Sequence, residues 1–241
     1  MSEMLTEAVR AYWAERMGVP VSPGTLVTAH RESLLNFAGV FLLRLDDALV
    51  VSVPGPMLTP VSQACEGRAR DEVYEAHFWH LLFGAAVEEM VGPTWLGYVR
   101  AKDFVPVSSD GVRRLNEMDV GSLWTLADAC DATDWQQSGI MFDGTVGFGF
   151  FDGDTLIAAS MVTRRGNDMG EVGAITHPAW RGRGIGRSVV SAASAHGLEK
   201  YSILQYRGLE ENPASVKLAI PLGYRRVAGS LVVRFAHPAL A

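Results

Sequence analysis

Apolar and polar positions along the chain of 241 residues change period several times. Leu5, Val9, Tyr12 and Trp13 recur at helical spacing, which predicts an amphipathic first helix closed by Met17-Gly18 and Pro20. Two β-rich runs, 40–45 and 48–53, flank Asp46-Asp47 and predict a hairpin that Pro54-Gly55-Pro56 stops. Helices are expected near 58–70 and 71–90, broken by Gly92-Pro93, and a short strand over 94–100. The turn-rich stretch 105–111 marks a boundary. Beyond it the pattern predicts a strand at 112–115, a helix at 119–130, a short helix around Trp135, and strands at 145–151 and 155–163 joined by Asp152-Gly153-Asp154. A strand at 171–176, a helix at 178–196, a strand at 201–206, a helix at 213–220 and a strand pair within 224–235 complete the chain. The expected organisation is an N-terminal α+β domain over 1–105 and a second domain over 112–241, with no internal repeat.

Composition narrows the class. Hydrophobic residues make up 48% and charged residues 20%, the balance of a globular domain rather than a disordered chain. The net charge of −6 gives no reason to expect nucleic acid as a partner. The first residues lack the basic start and apolar core of a signal peptide, and no run of eighteen apolar residues occurs, so the expected location is cytoplasmic, without membrane insertion. Cys65 and Cys130 have no CxxC spacing and read as buried thiols inside helices. His77 and His80 share a helix face, but no third ligand accompanies them, so no metal site is expected.

One segment concentrates chemistry. Thr176-His-Pro-Ala-Trp-Arg-Gly-Arg-Gly-Ile-Gly-Arg187 runs from a strand into a helix. Gly182, Gly184 and Gly186 let a ligand approach the backbone closely, and the first amides of a helix have no internal acceptor. Arg181, Arg183 and Arg187 add positive charge to that end of the macrodipole, so the segment is suited to a phosphate or diphosphate. A Walker A string is absent, and the glycine spacing is wrong for a dinucleotide fingerprint, which disfavours a nucleotide-binding protein.

The order Arg181-x-x-Gly184-x-Gly186 resembles the [QR]xxGx[GA] pyrophosphate loop of the GNAT superfamily of N-acyltransferases. About 30 residues on, Asn212-Pro-Ala-Ser215-Val-Lys-Leu218-Ala219-Ile-Pro-Leu222-Gly223-Tyr224 is similar to that family's Nxx[AS]xxLYxxxG[FY] helix and turn. The resemblance covers 112–241 and implies an α/β (α+β) fold of GNAT type, a mixed and mostly antiparallel central sheet flanked by helices, preceded by a smaller α+β domain. It implies acetyl transfer from acetyl-CoA to an amine of a small molecule or peptide, without a metal. The implied cofactor-binding residues are Ala174, Ile175 and Thr176 for the pantetheine arm and thioester, Arg181, Gly182, Arg183, Gly184, Ile185, Gly186 and Arg187 for the diphosphate, and Asn212 and Ser215 on the following helix. Strand 171–176 is expected to splay from strand 201–206, leaving free backbone groups near Ala174–Thr176. The tyrosine that many members place near the CoA sulfur is here Ala219.

Glu171, at the start of the key strand, is the candidate general base; the alternative is a strand-edge carboxylate in solvent. Strand alternation sets Glu171, Gly173 and Ile175 on one face and Val172, Ala174 and Thr176 on the other. Asp168 is a weaker candidate base, and His177 before Pro178 reads as structural. Asn212 is also a helix cap. Trp124, Trp135, Phe148 and Phe150 read as aromatic core, with an acceptor pocket as the alternative. A second functional class stays open, a non-catalytic acyl-CoA-binding sensor, to which Ala219 points. The first domain is expected to shape the acceptor side or to mediate self-association as a homodimer, or to be a degenerate copy of the same fold.

Overall fold

A computed structural model describes residues 3–141 and 146–236. The chain order is α1 (Glu3–Met17), β1 (Gly24–Ala29), β2 (Gly39–Leu45), β3 (Ala48–Val53), α2 (Leu58–Cys65), α3 (Arg70–Tyr74), α4 (Ala76–Phe83) and β4 (Val87–Val99). It continues with β5 (Val112–Arg114), α5 (Val120–Asp128), α6 (Ala132–Gln137), β6 (Gly147–Asp152), β7 (Thr155–Arg164) and β8 (Met169–Thr176). Then come α7 (Ile185–Leu198), β9 (Ile203–Leu209), α8 (Pro213–Ala219) and β10 (Arg225–Phe235). Contacts divide the chain into two compact units. One comprises Met1–Leu96, Gly208–Pro213 and Arg226–Ala241; the other comprises Gly97–Arg207 and Ala214–Arg225. In this division the last strand belongs to the first unit.

In the first unit, β1 pairs parallel with β3, β3 antiparallel with β2, and β2 antiparallel with β10. Asp46, at φ +51°, makes the tight turn of the β2–β3 hairpin. All six residues of β3 are buried, which explains an almost wholly apolar run whose one polar residue, Ser52, is also buried. Val40, Leu42, Leu49 and Val51 pack with Val61, Trp79 and Leu231 in the unit's core. The α1 stripe is Leu5, Val9, Trp13 and Met17, with Tyr12 only half-buried.

Three expectations fail here, each for a local reason. Strand β1 is not foreseen; its register beside β3, not its own pattern, makes it a strand. The helix expected to reach residue 90 ends at Phe83, where Gly84 turns the backbone to φ +49°. Ala85 and Ala86 lie in a 3-10 turn over Gly84–Ala86, and residues 87–99 then form one strand running through Gly92-Pro93, so pairing overrides the helix propensity of Glu88 and Glu89. The expected strand pair at the C-terminal end is a single strand, because Gly229 lies mid-strand. A Cβ there would come within 2.7 Å of Tyr74 Oη, so close approach, not a turn, accounts for this glycine.

The second unit has the strand order β9-β8-β7-β6-β5, antiparallel except for the parallel β8–β9 pair. This is the mixed, mostly antiparallel sheet flanked by helices that the resemblance implies. Of the expected strand 145–151, Thr145 lies outside the described residues. Leu123 and Leu126 of α5 pack with Ile140, Leu156, Ala159, Met161 and Ile175 on one face. On the other face α7 buries Val189, Val190, Ala193 and Gly197, the last against Val162 and Leu204.

Helix α5 is approached through a capping box. Asn116 Oδ1 accepts from the Met118 amide at 2.9 Å, and Asp119 Oδ2 accepts from the Asn116 amide at 2.8 Å. Arg113 closes on both Asp119 oxygens, at 2.8 and 2.6 Å, and this bond holds the Asp119 carboxyl below the usual carboxylate range. No helix among the described residues is long and apolar enough to cross a membrane.

Candidate active site

The site is built where β8 and β9 part. Their parallel ladder pairs Met169 with Ile203, Gly170 with Leu204, Glu171 with Gln205 and Val172 with Tyr206, and it ends there. Strand β8 nevertheless runs on to Thr176, paired on its other side with β7. The predicted splay therefore begins after Val172, and it leaves one edge of Gly173–Thr176 unpaired by β9.

That edge is partly satisfied from within the unit. The Ala174 amide donates to the Ser138 carbonyl at 2.9 Å, and the Thr176 carbonyl accepts from Arg181 Nε at 3.1 Å. The expectation of free backbone groups at both positions is thus corrected. Ser138 is itself pinned, donating through Oγ to the Trp135 carbonyl at 2.7 Å and accepting from the Ile140 amide at 3.1 Å. The Ser138-Gly139 backbone lies directly over Gly173, where an added Cβ would sit 2.9 Å from the Gly139 carbonyl carbon. Ile175 turns into the core against α5, whereas Thr176 faces α7, its Oγ1 2.9 Å from where a Gly186 Cβ would be.

Strand β8 hands over to the glycine–arginine segment. His177 Nδ1 accepts from the Ala179 amide at 3.2 Å and caps a short 3-10 turn over Pro178–Trp180, a structural role. The helix starts at Ile185 rather than at 178. Gly182 and Gly184 have φ of +78° and +82°, a conformation that disfavours a side chain, and open space surrounds the place where a Cβ would be. Gly184 is the residue before α7 and supplies no side-chain cap. The first amides of α7 thus remain at the positive end of its macrodipole.

The three arginines differ. Arg181 is tied to Asp134 at 2.8 Å as well as to Thr176. Arg183 stacks over Trp180 at 4.6 Å and donates to the Ala179 carbonyl at 3.3 Å. Arg187 has its Nε buried without a hydrogen-bond partner among the described residues. An orphaned guanidinium nitrogen of this kind, beside an uncapped helix start and two left-handed glycines, fits an anionic oxygen.

Glu171 is not at a solvent edge; it is 4% exposed. Its Oε2 pairs with Arg165 Nε and receives Gln205 Nε2 at 3.4 Å, and its Oε1 lies 3.2 Å from Arg207 Nη2. Gln205 Oε1 in turn accepts from the buried Tyr98 hydroxyl at 2.8 Å. Glu171 stands on the face of β8 that also carries Gly173 and Ile175, as alternation predicts, and so faces the α5 side. Tyr98, Arg165, Gln205 and Arg207 are the members sequence reasoning missed. Only the fold assembles them, and no spacing in the chain signals them. Asp168 is engaged by the amide and hydroxyl of Ser202, which gives it a turn-closing role.

The second motif is divided. Ser215 Oγ bonds Tyr206 Oη at 3.0 Å, at the strand residue that ends the ladder, and burial pushes the Tyr206 hydroxyl up, so it stays protonated. Ala219 is fully buried and offers no proton. Asn212 precedes α8 in the segment that belongs to the first unit, its amide bonded to the Leu209 carbonyl at 3.0 Å.

Among the aromatics, Trp124 is 53% exposed and not core. Phe148 packs 5.7 Å from His196 on the α7 face, away from Glu171. Cys65 is buried and Cys130 half-buried, and burial pushes both thiols up. No cluster of three metal-ligating side chains occurs among the described residues.

No family model matches the chain, and no curated protein matches it. Solved structures do. An acetyltransferase of the GNAT family from Colwellia psychrerythraea superposes with a TM-score of 0.55 over 98% of this chain and 97% of that one, at 15% identity. A GNAT-family protein from Novosphingobium aromaticivorans DSM 12444 reaches 0.49 over 63% of this chain and 67% of that one, at 20% identity. A GCN5-related N-acetyltransferase-like protein from Streptococcus suis 89/1591 reaches 0.47 over 80% and 82%, at 14% identity. The Colwellia superposition spans nearly the whole of both chains, and with the strand order and the β8–β9 splay it establishes that this chain has the fold of the GNAT acetyltransferases.

Proposed function

We propose that the second unit transfers an acetyl group from acetyl-CoA to the amine of a small molecule or peptide. The observation that carries this reading is the end of the β8–β9 ladder at Val172, upstream of a loop that leads to an uncapped helix start and to Arg187, whose buried Nε has no hydrogen-bond partner among the described residues. Acetyl-CoA would supply an activated acyl carbon on a good leaving group. The amides of 182–186 and Arg187 would hold its diphosphate, with Arg183 beside them. Arg181 joins them only by leaving Asp134.

The reaction needs little covalent help. The amine lone pair forms a C–N bond at the thioester carbon, the C–S bond breaks, and the sulfur leaves with the electron pair. The proton lost by nitrogen balances the thiol. A thiolate with an ordinary pKa near 8.5 leaves readily, so Ala219 is compatible with turnover. The Ala174 amide is the donor suited to the developing oxyanion, and it serves once the Ser138 carbonyl releases it. For Glu171 to act as general base, an oxygen now engaged by Arg165 or Arg207 must be freed; in the observed arrangement the carboxylate orients those two cations.

A second reading, an acyl-CoA-binding sensor without turnover, draws on Ala219 and on the Ser138–Ala174 bond. Incubating the protein with acetyl-CoA and a panel of amines, and following both thiol release and acetylated product by mass, separates the two. Product with stoichiometric thiol supports transfer. Saturable CoA binding with no product from any amine supports the sensor.

A further inference from the structure

The charge network on the α5-side face of β8 and β9 brings two guanidinium groups to one carboxylate. Glu171 is nearly fully buried, and a buried carboxylate needs compensation. One guanidinium and Gln205 Nε2 already meet its Oε2. The network nevertheless brings in a second guanidinium, that of Arg207, 3.2 Å from the other oxygen. Two guanidinium groups thus converge on one carboxylate, in a protein whose net charge is −6.

Arg207 is also the member placed to meet a ligand. Its side chain is 42% exposed, whereas Glu171, Gln205 and Tyr98 are buried. It is the first residue of β9 beyond the last ladder pair, so it stands where the two strands have begun to part. A guanidinium carries five N–H donors in a planar fork, and the contact with Glu171 Oε1 engages one end of it. A carboxylate is the group that such a fork reads with two parallel bonds.

We propose that Arg207, oriented by the buried Glu171, receives a carboxylate on the acceptor, so that the amines acetylated here are amino acids or other amines bearing a carboxylate. This inference rests on the acetyl-transfer reading and deepens it. The chemistry is unchanged: amine and acetyl-CoA give the N-acetyl amino acid and free thiol. Arg207 takes no proton and forms no bond to carbon; it holds the acceptor so that its nitrogen, not its carboxylate, faces the thioester. Glu171 is in this account a positioning residue.

The test uses the full-length protein, acetyl-CoA, and matched acceptors: α- and ω-amino acids of increasing length, each beside its carboxamide. The expected result is a preference of tenfold or more in kcat/KM for at least one carboxylate over its carboxamide, expressed mainly in KM. Arg207→Gln should narrow that ratio toward one, and Arg207→Lys should restore only part of it, since an ammonium lacks the fork. Calorimetry with CoA on each variant reports whether the fold and the cofactor loop persist. Equal use of carboxylates and carboxamides by the unaltered protein overturns this inference alone, with no variant needed. A preference that survives Arg207→Gln also overturns it. No product from any amine overturns it together with the acetyl-transfer reading.

Discussion

Glu171 stands opposite Gln205 one step before the β8–β9 ladder ends, and this single register position ties the splay of the strands to a buried charge network. The same side chain that fixes Arg165 and Arg207 sits where the two strands are last held together. The charge network and the sheet geometry therefore share one residue.

The role of Glu171 is separable by pH. If it positions arginines, Glu171→Gln lowers kcat/KM by a roughly constant factor from pH 6 to pH 9, because the loss does not depend on how much amine is neutral. A general base predicts otherwise. Its loss, about 10²–10⁴-fold for a well-placed base, shrinks as rising pH delivers the amine already deprotonated. Full pH–rate profiles of both proteins decide between them, and CoA affinity should be the same in each.

Gly173 should resist any side chain. A Cβ there meets the Ser138 carbonyl oxygen and comes 2.9 Å from the Gly139 carbonyl carbon and oxygen, all backbone. Gly173→Ala is expected to cost about 1–3 kcal/mol, as overpacking does. For a chain of this size that is a drop of several degrees in melting temperature. It should also break the Ser138–Ala174 bond, read as faster hydrogen exchange at the Ala174 amide.

In the first unit, a buried histidine should make the fold acid-sensitive. His30 Nε2 lies 3.0 Å from the Gly39 carbonyl, which only accepts, so Nε2 carries the hydrogen and Nδ1 accepts from Ser52 Oγ at 2.8 Å. Burial pushes the His30 pKa down. The unfolded chain therefore binds the proton more readily, near pH 6.5, than the folded one does. Stability contributed by neutral His30 is complete above about pH 6.5 and falls as pH drops toward the folded value. Denaturant midpoints at pH 7.5 and pH 5 should fall more in the unaltered protein than in His30→Gln. Equal falls would remove His30 as the cause.

Much of this was legible in the chain, and the exceptions share a cause. The glycine–arginine segment is local: its residues are adjacent, and the strand-to-helix context follows from periodicity. The face alternation of β8 is local too. What was not legible depends on pairing between distant segments. Strand β1 exists because β3 lies beside it, and residues 87–99 are extended despite Glu88 and Glu89. Arg165 and Arg207 reach Glu171 from a hairpin turn and from the next strand, with no spacing that announces it. The burial of Glu171, against the habit of glutamate, is the same effect. Likewise the engagement of Ala174 and Arg181 depends on Ser138 and Asp134, side-by-side only in the folded unit.

The central claim is that the loop from Gly182 to Arg187 binds the diphosphate of CoA, and calorimetric titration of CoA against pantetheine tests it most directly. The unaltered protein should bind CoA saturably and more tightly than pantetheine, which lacks the diphosphate. Arg187→Ala removes the cation with the orphaned Nε and should weaken CoA at least tenfold while leaving pantetheine affinity nearly unchanged. Arg181→Ala, whose guanidinium is already shared with Asp134, should cost less. Gly184→Val, forced to φ +82°, should abolish CoA binding. Absence of CoA binding by the unaltered protein, or equal losses for CoA and pantetheine in Arg187→Ala, would contradict the assignment.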